Sequence, residues 1–386
     1  MISVASEAAV PARRTHRVAV AAWFFLQGLV FASWASRIPT IQQRLGFSDA
    51  TLGLMLLAIP LGQLPSLPLT GWLIHRFGSR RTALAGSMLY GLSLVGLGWA
   101  AEPWQLLPCL IVFGLASNLM NISINTQAVG VEALYHKPIM ASFHGLWSLA
   151  GFTGAGIGTA MIGGSVPPFY HFLLILAAVL LGAALSYRRL LPHSVADDAQ
   201  EQPAFVRPDR TLLGLGALAF CALICEGAMF DWSGVYFQKV VGAQKAWVGA
   251  GYTAFMSTMA LGRFGADWLT ARLGPRRVVQ GSGLLTAGGL LLAVALPTLG
   301  AALLGFMLVG LGTSAVVPLV YSAAGRSRVM PAGMALAAVS TIGFLGFLIG
   351  PPLIGLVAGA TSLRLSYALI ALMGLAVAGL AGRVRL

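Results

Sequence analysis

The chain has 386 residues, of which 58% are hydrophobic and only 9% charged, whereas soluble domains carry roughly 25% charged residues, so an ordinary soluble core is excluded. The net charge of +13 does not point to nucleic acid, because the basic residues sit between apolar stretches instead of gathering on one polar face with aromatic neighbours. Cys109, Cys221 and Cys225 fall inside apolar stretches with neither zinc-ligand nor secreted-disulfide spacing, and read as packing residues.

Arg13, Arg14 and Arg17 precede an apolar run from Val18 to Ser36 that lacks a small-residue cleavage site, so it reads as an uncleaved first helix. Apolar runs then predict helices over Thr51–Ile74, Thr82–Ala101, Pro103–Val129, Ile139–Gly163 and Phe169–Tyr187. The stretch Leu191–Asp209 holds Pro192, Asp197, Asp198, Glu201, Pro203 and Pro208, too polar for lipid and too short to fold alone, and reads as a linker. A second set follows over Leu212–Phe237, Trp247–Thr270, Val278–Leu296, Thr298–Tyr321, Met334–Ala360 and Leu365–Leu380. A crossing takes about 20 apolar residues. The expectation is an all-α membrane protein of twelve transmembrane helices in two pseudo-symmetric six-helix bundles, 1–190 and 211–386, joined by a cytoplasmic linker, 191–210.

Cytoplasmic loops carry an excess of Lys and Arg. With the N-terminus inside, eighteen such residues are cytoplasmic and five, Arg37, Arg44, Lys239, Lys245 and Arg364, are outside, while Arg263 lies within a span. This predicts a bacterial inner-membrane protein with both termini cytoplasmic. Trp99, Trp104 and Trp247 near helix ends read as interfacial anchors.

The halves repeat. Gly71-Trp72-Leu73-Ile74-His75-Arg76-Phe77-Gly78-Ser79-Arg80-Arg81 matches Asp267-Trp268-Leu269-Thr270-Ala271-Arg272-Leu273-Gly274-Pro275-Arg276-Arg277 at an offset of 196. Gly46 and Gly53 match Gly242 and Gly249 at the same offset, and Trp34 matches Trp232 at 198. Duplication of a six-helix unit suits alternating access about a midplane site, although channels can also be duplicated.

At these residues the chain resembles the major facilitator superfamily, whose signature between helices two and three reads Gly-x-x-x-Asp-Arg-x-Gly-Arg-Arg. Here it reads Gly71, Arg76, Gly78, Arg80 and Arg81, with Ser79 between Gly78 and the two arginines and His75 at the acidic position. The resemblance implies the major facilitator fold and secondary transport. It implies a conformational role for this turn, with Gly71 permitting close helix contact and Arg76, Arg80 and Arg81 forming cytoplasmic ion pairs. Without the carboxylate, the arginines can equally serve only to fix topology. Ser142-Phe143-His144-Gly145-Leu146-Trp147-Ser148 and Gly343-Phe344-Leu345-Gly346-Phe347-Leu348-Ile349-Gly350-Pro351-Pro352 are similar to a bacterial branch that includes fucose-permease-like sugar carriers. The drug-antiporter signature wants a Gly-Pro pair in helix five, and Gly154–Gly164 has no proline, which counts against efflux.

Charged groups within a bilayer need a partner, a watery cavity or protonation. Glu226, in mid-helix seven between apolar neighbours, is the candidate proton-coupling residue, the alternative being a static hydrogen-bonded carboxyl. Arg263 and Asp267, four residues apart in helix eight, are expected to pair. Arg37 and Asp231, near the outer ends of helices one and seven, are expected to pair when the outer face closes. Asn118, Asn121 and Asn125 recur on one face of helix four, with Ser123 and Gln127 adjoining. Amides that donate and accept suit a polar solute, and they can also act as glue between helices. His144, Trp147 and Ser148 share a face of helix five, an aromatic plate beside hydrogen-bonding groups. Gln27, Tyr252 and Tyr321 are weaker candidates for substrate contact.

No phosphate-cradling glycine loop, His-Glu-x-x-His or Gly-x-Ser-x-Gly turn occurs, so neither an enzyme nor a cofactor or metal is expected. The partners expected are the lipid bilayer, a small solute and protons, and no nucleic acid. The sequence thus leads to a proton-coupled secondary transporter of a small polar solute. Proton-driven efflux of drugs or metabolites is the alternative.

Overall fold

The computed structural model describes residues 9–135, 139–192, 210–327 and 332–384. Most of the linker stretch 191–210, along with Lys137, Arg328 and Arg385, lies outside them. The described residues form twelve long helices and no strand. These are α1 (Ala9–Leu45), α2 (Asp49–Phe77), α3 (Ser79–Trp99), α4 (Pro103–Tyr135), α5 (Met140–Gly163) and α6 (Pro168–Ser186). The second six are α7 (Arg210–Lys239), α8 (Ala250–Leu273), α9 (Pro275–Ala295), α10 (Leu299–Gly325), α11 (Ala332–Ala360) and α12 (Leu363–Ala381). Eleven are long and apolar enough to cross a membrane. The remaining one, α8, carries Arg263, Asp267 and Arg272. Its 24 residues still exceed the roughly 20 a crossing needs. The protein is an all-α membrane protein of twelve transmembrane helices.

Two helices are interrupted, and proline explains both. α2 breaks at Leu57 between Asp49–Leu56 and Ala58–Phe77, and α10 breaks at Ala315 between Leu299–Ser314 and Val316–Gly325. A proline has no N–H to give the carbonyl four residues earlier. Pro60 deprives Leu56 of its donor, and Pro318 does the same to Ser314.

The repeat is visible in the backbone. Gly46 and Gly242 have φ of 65° and 63°, and Gly78 and Gly274 have φ of 81° and 79°. Each pair is one of the sequence matches at offset 196, and left-handed backbone is where glycine is favoured over any side chain. Trp72 and Trp268, matched in the same way, are each 59% exposed.

Contacts divide the chain into two compact units. The first holds the described parts of Met1–Trp34, Ala58–Gly154 and Val166–Gln200. In it α2 and α4 approach closely through reciprocal glycines: a Cβ on Gly62 would strike the Ile111 carbonyl, and one on Gly114 the Ile59 carbonyl. Gln127 on α4 clamps the start of α3 and the end of the sixth-helix segment, donating to Ser79 Oγ at 2.8 Å and to the Leu191 carbonyl at 2.9 Å.

The second unit holds Ala35–Leu57, Ala155–Ser165 and the described part of Glu201–Leu386. α9 packs against α12 through Gly283 and Gly374, where a Cβ on Gly283 would lie 2.5 Å from the Ala378 nitrogen. This unit also takes in the ends of α1, α2 and α5 remote from the arginine-rich turns. Asp49 pairs with Lys239 at 2.5 Å, Gln238 donates to Gln43 Oε1 at 3.2 Å, and Thr159 and Thr253 share a hydrogen bond of 3.1 Å. At the α2–α11 contact a Cβ on Gly355 would lie 2.5 Å from the Asp49 carbonyl, and one on Gly53 would lie 2.7 Å from the Pro351 carbonyl. Only glycine lets the backbones meet there.

Candidate functional site

Two polar clusters stand out, one in each unit. In the first unit Gln27, buried on α1, donates to the Ser117 carbonyl of α4 at 3.3 Å, and its Oε1 is buried without a hydrogen-bond partner. Gln63 on α2 donates to Ser117 Oγ at 3.4 Å. Asn118 donates to Ser66 Oγ at 2.6 Å and to the Gln63 carbonyl at 3.3 Å, so it ties α4 to α2. Asn125 instead turns back along its own helix, donating to Asn121 Oδ1 at 3.1 Å and to the Asn121 carbonyl at 2.8 Å. The three asparagines share a face as their spacing predicts, yet they divide by use. Asn118 holds helices together, while Asn125 donates to Asn121, both being half-buried. Ser123 bonds its own helix at Leu119.

α1 presents Phe24, Gln27 and Phe31 at spacings of three and four, one helix face. Phe24 meets His144 edge-on at 5.3 Å and stacks on Phe143 at 5.5 Å, and Phe31 lies 6.1 Å from Trp147. The face that reaches α4 through Gln27 therefore also reaches α5. His144 is exposed, Trp147 is half-buried, and Ser148 is buried with its hydroxyl donating to the His144 carbonyl at 3.1 Å. The α5 trio is thus split: the ring groups remain at the surface of this cluster and the serine is turned into its own helix.

In the second unit the central fact is an ion pair. Glu226 on α7 faces Arg263 on α8, Oε1 to Nη2 at 3.5 Å, with side-chain exposures of 7% and 19%. The spacing rule pointed Arg263 at Asp267 on its own helix. The structure corrects this: Asp267 is exposed, and Arg263 reaches a carboxylate on a neighbouring helix. A cation within the membrane gains most from a carboxylate that is itself withdrawn from water. Tyr321 of α10 stands near Glu226 and near Ser340 of α11. Phe230, one turn beyond Glu226, stacks on Phe347 at 6.3 Å and meets Phe255 at 5.7 Å and Tyr252 at 6.2 Å edge-on. Glu226, Arg263, Tyr321 and Tyr252 are thus gathered beside an aromatic wall. Arg37 is fully buried and Asp231 half-buried in this same unit.

The turn between α2 and α3 departs from what the resemblance implied. A Cβ on Gly71 would meet nothing within 4 Å, so no close contact requires glycine there. No carboxylate of a described residue pairs with Arg76, Arg80 or Arg81. Arg80 lies over the Tyr187 ring at 4.3 Å instead, a cation–π contact that needs no acidic partner. This fits the histidine at the usual acidic position. Gly78 supplies the turn's positive-φ backbone, at φ 81°. Gln63, Ser66 and Ser117 were not singled out by sequence. Gln63, an amide within the apolar run of α2, was the available signal.

Among the described residues no cluster of three metal-ligating side chains occurs, and the three cysteines are unbridged.

Comparisons with known proteins agree with this architecture. The chain is 36% identical over 361 residues to an uncharacterized MFS-type transporter of Yersinia pestis, covering 94% of each chain. Among solved structures it is similar to a bacterial homologue of the human lysosomal transporter Spinster in an inward-facing, unoccupied conformation, at a TM-score of 0.74, 14% identity and 96% coverage of each chain. It is also similar to FucP, a Major Facilitator Superfamily transporter in the outward conformation, at a TM-score of 0.65 and 17% identity, covering 95% of this chain and 97% of that one. Residues 20–327 match the Major Facilitator Superfamily profile, and with twelve helices, a backbone-level repeat and a relative of this similarity, the chain belongs to the Major Facilitator Superfamily of transporters, not enzymes.

Proposed function

We propose that this transporter moves a small polar solute across the bacterial inner membrane by alternating access, driven by protons. In this reading both termini are cytoplasmic, and the two repeated halves, 1–190 and 211–386, are the bodies that exchange access. The observation that carries it is the buried Glu226 held 3.5 Å from Arg263. When ionised, Glu226 is compensated by Arg263. When protonated, it releases Arg263 to another partner. A carboxyl with two alternative states of this kind can link proton binding to a rearrangement of α7 against α8. The amides Asn121 and Asn125, with Gln27, His144 and Trp147, supply donors, acceptors and ring faces for a polar solute. The seam at Asp49–Lys239 and Gly53–Gly355 acts as the gate on the outer side.

A ligand-stabilisation screen on purified protein identifies the solute, since a ligand that favours the folded state raises apparent stability. In vesicles, Glu226→Gln then abolishes proton-driven accumulation and retains counterflow per folded molecule, because exchange of bound solute needs no proton turnover. Unimpaired accumulation by the variant would refute the coupling role. The same vesicles settle whether uptake or efflux is the working direction.

A further inference from the structure

The end of α1 carries a feature that transport does not explain. Arg13, Arg14, Arg17, Val18, Ala21 and Tyr135 line a cavity of about 450 Å³. Arg17 is fixed there on two sides, lying over the Tyr135 ring at 5.4 Å and donating to Ser142 Oγ at 3.3 Å. No carboxylate of a described residue pairs with any of the three arginines. Glu132, one turn before Tyr135 on α4, is engaged elsewhere: its Oε2 accepts the Ile139 and Met140 amides at 2.7 and 2.8 Å, capping the start of α5. Close by, His16 Nδ1 meets the Arg189 carbonyl at 2.7 Å, which brings the basic turn Tyr187–Arg189 to the same end of α1. Below the arginines the wall becomes apolar: Val18 is 58% exposed and begins the apolar run. The cavity therefore sits where polar chain gives way to hydrocarbon-facing chain, with cations above and an aliphatic floor below.

We propose that this cavity binds the phosphate headgroup of an anionic phospholipid, with its acyl chains descending past Val18 and Ala21. Guanidinium groups present a planar fork of donors that matches phosphate oxygens, and basic pockets at the membrane interface recognise anionic headgroups on this principle. The aliphatic floor favours a lipid over free phosphate, which has nothing to place there.

The test uses the full chain purified in mild detergent and titrated separately with phosphatidylglycerol, with phosphatidylcholine of the same acyl chains, and with inorganic phosphate. Native mass spectrometry counts bound lipid, and the unfolding midpoint is followed in parallel. Phosphatidylglycerol is expected to bind about tenfold or more tightly than phosphatidylcholine, and inorganic phosphate to leave the midpoint unchanged. Because neutralising arginines beside a first helix can disturb insertion, the variant is Arg13→Lys/Arg14→Lys/Arg17→Lys, which keeps the charge and removes the fork. It should lose most of the preference, whereas Arg272→Lys/Arg276→Lys/Arg277→Lys should keep it. Equal binding of the two lipids, displacement of phosphatidylglycerol by inorganic phosphate, or full preference in the first variant would each overturn the proposal.

Discussion

Removing one side of the Glu226–Arg263 pair leaves the other side charged in a place built for two. Glu226→Gln keeps the shape of the side chain while taking away the carboxylate that faces Arg263 at 3.5 Å. Breaking a buried pair in this way costs about 3–5 kcal/mol, because the surviving charge is uncompensated. Arg263 retains 19% of its side-chain exposure, which places the effect near the lower end, about 3 kcal/mol, or roughly a hundredfold in the folding equilibrium. Arg263→Gln should lose a comparable amount, since it strands a carboxylate with only 7% exposure. The double variant, having no charge to strand, should lose less than either single, so the coupling in the cycle should exceed about 3 kcal/mol. Denaturant unfolding of the four purified proteins in one detergent measures this directly. Strictly additive losses, with the double variant as unstable as the sum of the singles, would show that the two groups do not compensate each other and would remove the basis for treating Arg263 as the partner of Glu226.

The asparagine face separates in the same way. Asn118→Ala should lower stability by about 1 kcal/mol, because it cuts α4 from Ser66 and Gln63, whereas Asn121→Ala and Asn125→Ala should weaken solute affinity more than they lower melting; the reverse order in binding and melting assays would make Asn121 and Asn125 the glue. Gly355→Val forces the Asp49 carbonyl away from α11, so the seam should stay open, and a cysteine introduced at Ala50, which lies against Gly359 of α11, should react with an impermeant thiol reagent faster in the variant than in the parent; equal labelling would mean that the seam does not depend on this contact. Exchanging the charges of Arg37 and Asp231 together should restore transport lost in each single exchange, and failure to restore it at normal expression removes that pairing.

Much of this fold was written in periodicities that hydrophobic runs expose. The matched turns around Gly78 and Gly274 were legible because a left-handed position and a row of arginines leave a residue-level trace. The interruptions at Leu57 and Ala315 leave no trace in hydropathy, although Pro60 and Pro318 mark them, because apolar runs continue through both. The candidate site was legible as an inventory and less so as a set of partnerships. Glu226 and Arg263 were each conspicuous, but their pairing depends on the register of α7 against α8, which spacing within one helix does not encode. The same limit hid the joining of Asp49 to Lys239 and the different uses of Asn118 and Asn125.

The two interrupted helices have a mechanical consequence. A continuous helix resists bending because curvature stretches hydrogen bonds on its convex side. At Leu56 and Ser314 the bond that would resist is already missing, since the residue four places on is a proline. α2 and α10 can therefore change their bend at these two points without breaking any further backbone bond. Both joints are set within a few residues of the glycine contacts Gly53–Gly355 and Gly310–Phe255. Replacing Pro60 or Pro318 with alanine would weld the joint, trading compliance for stability.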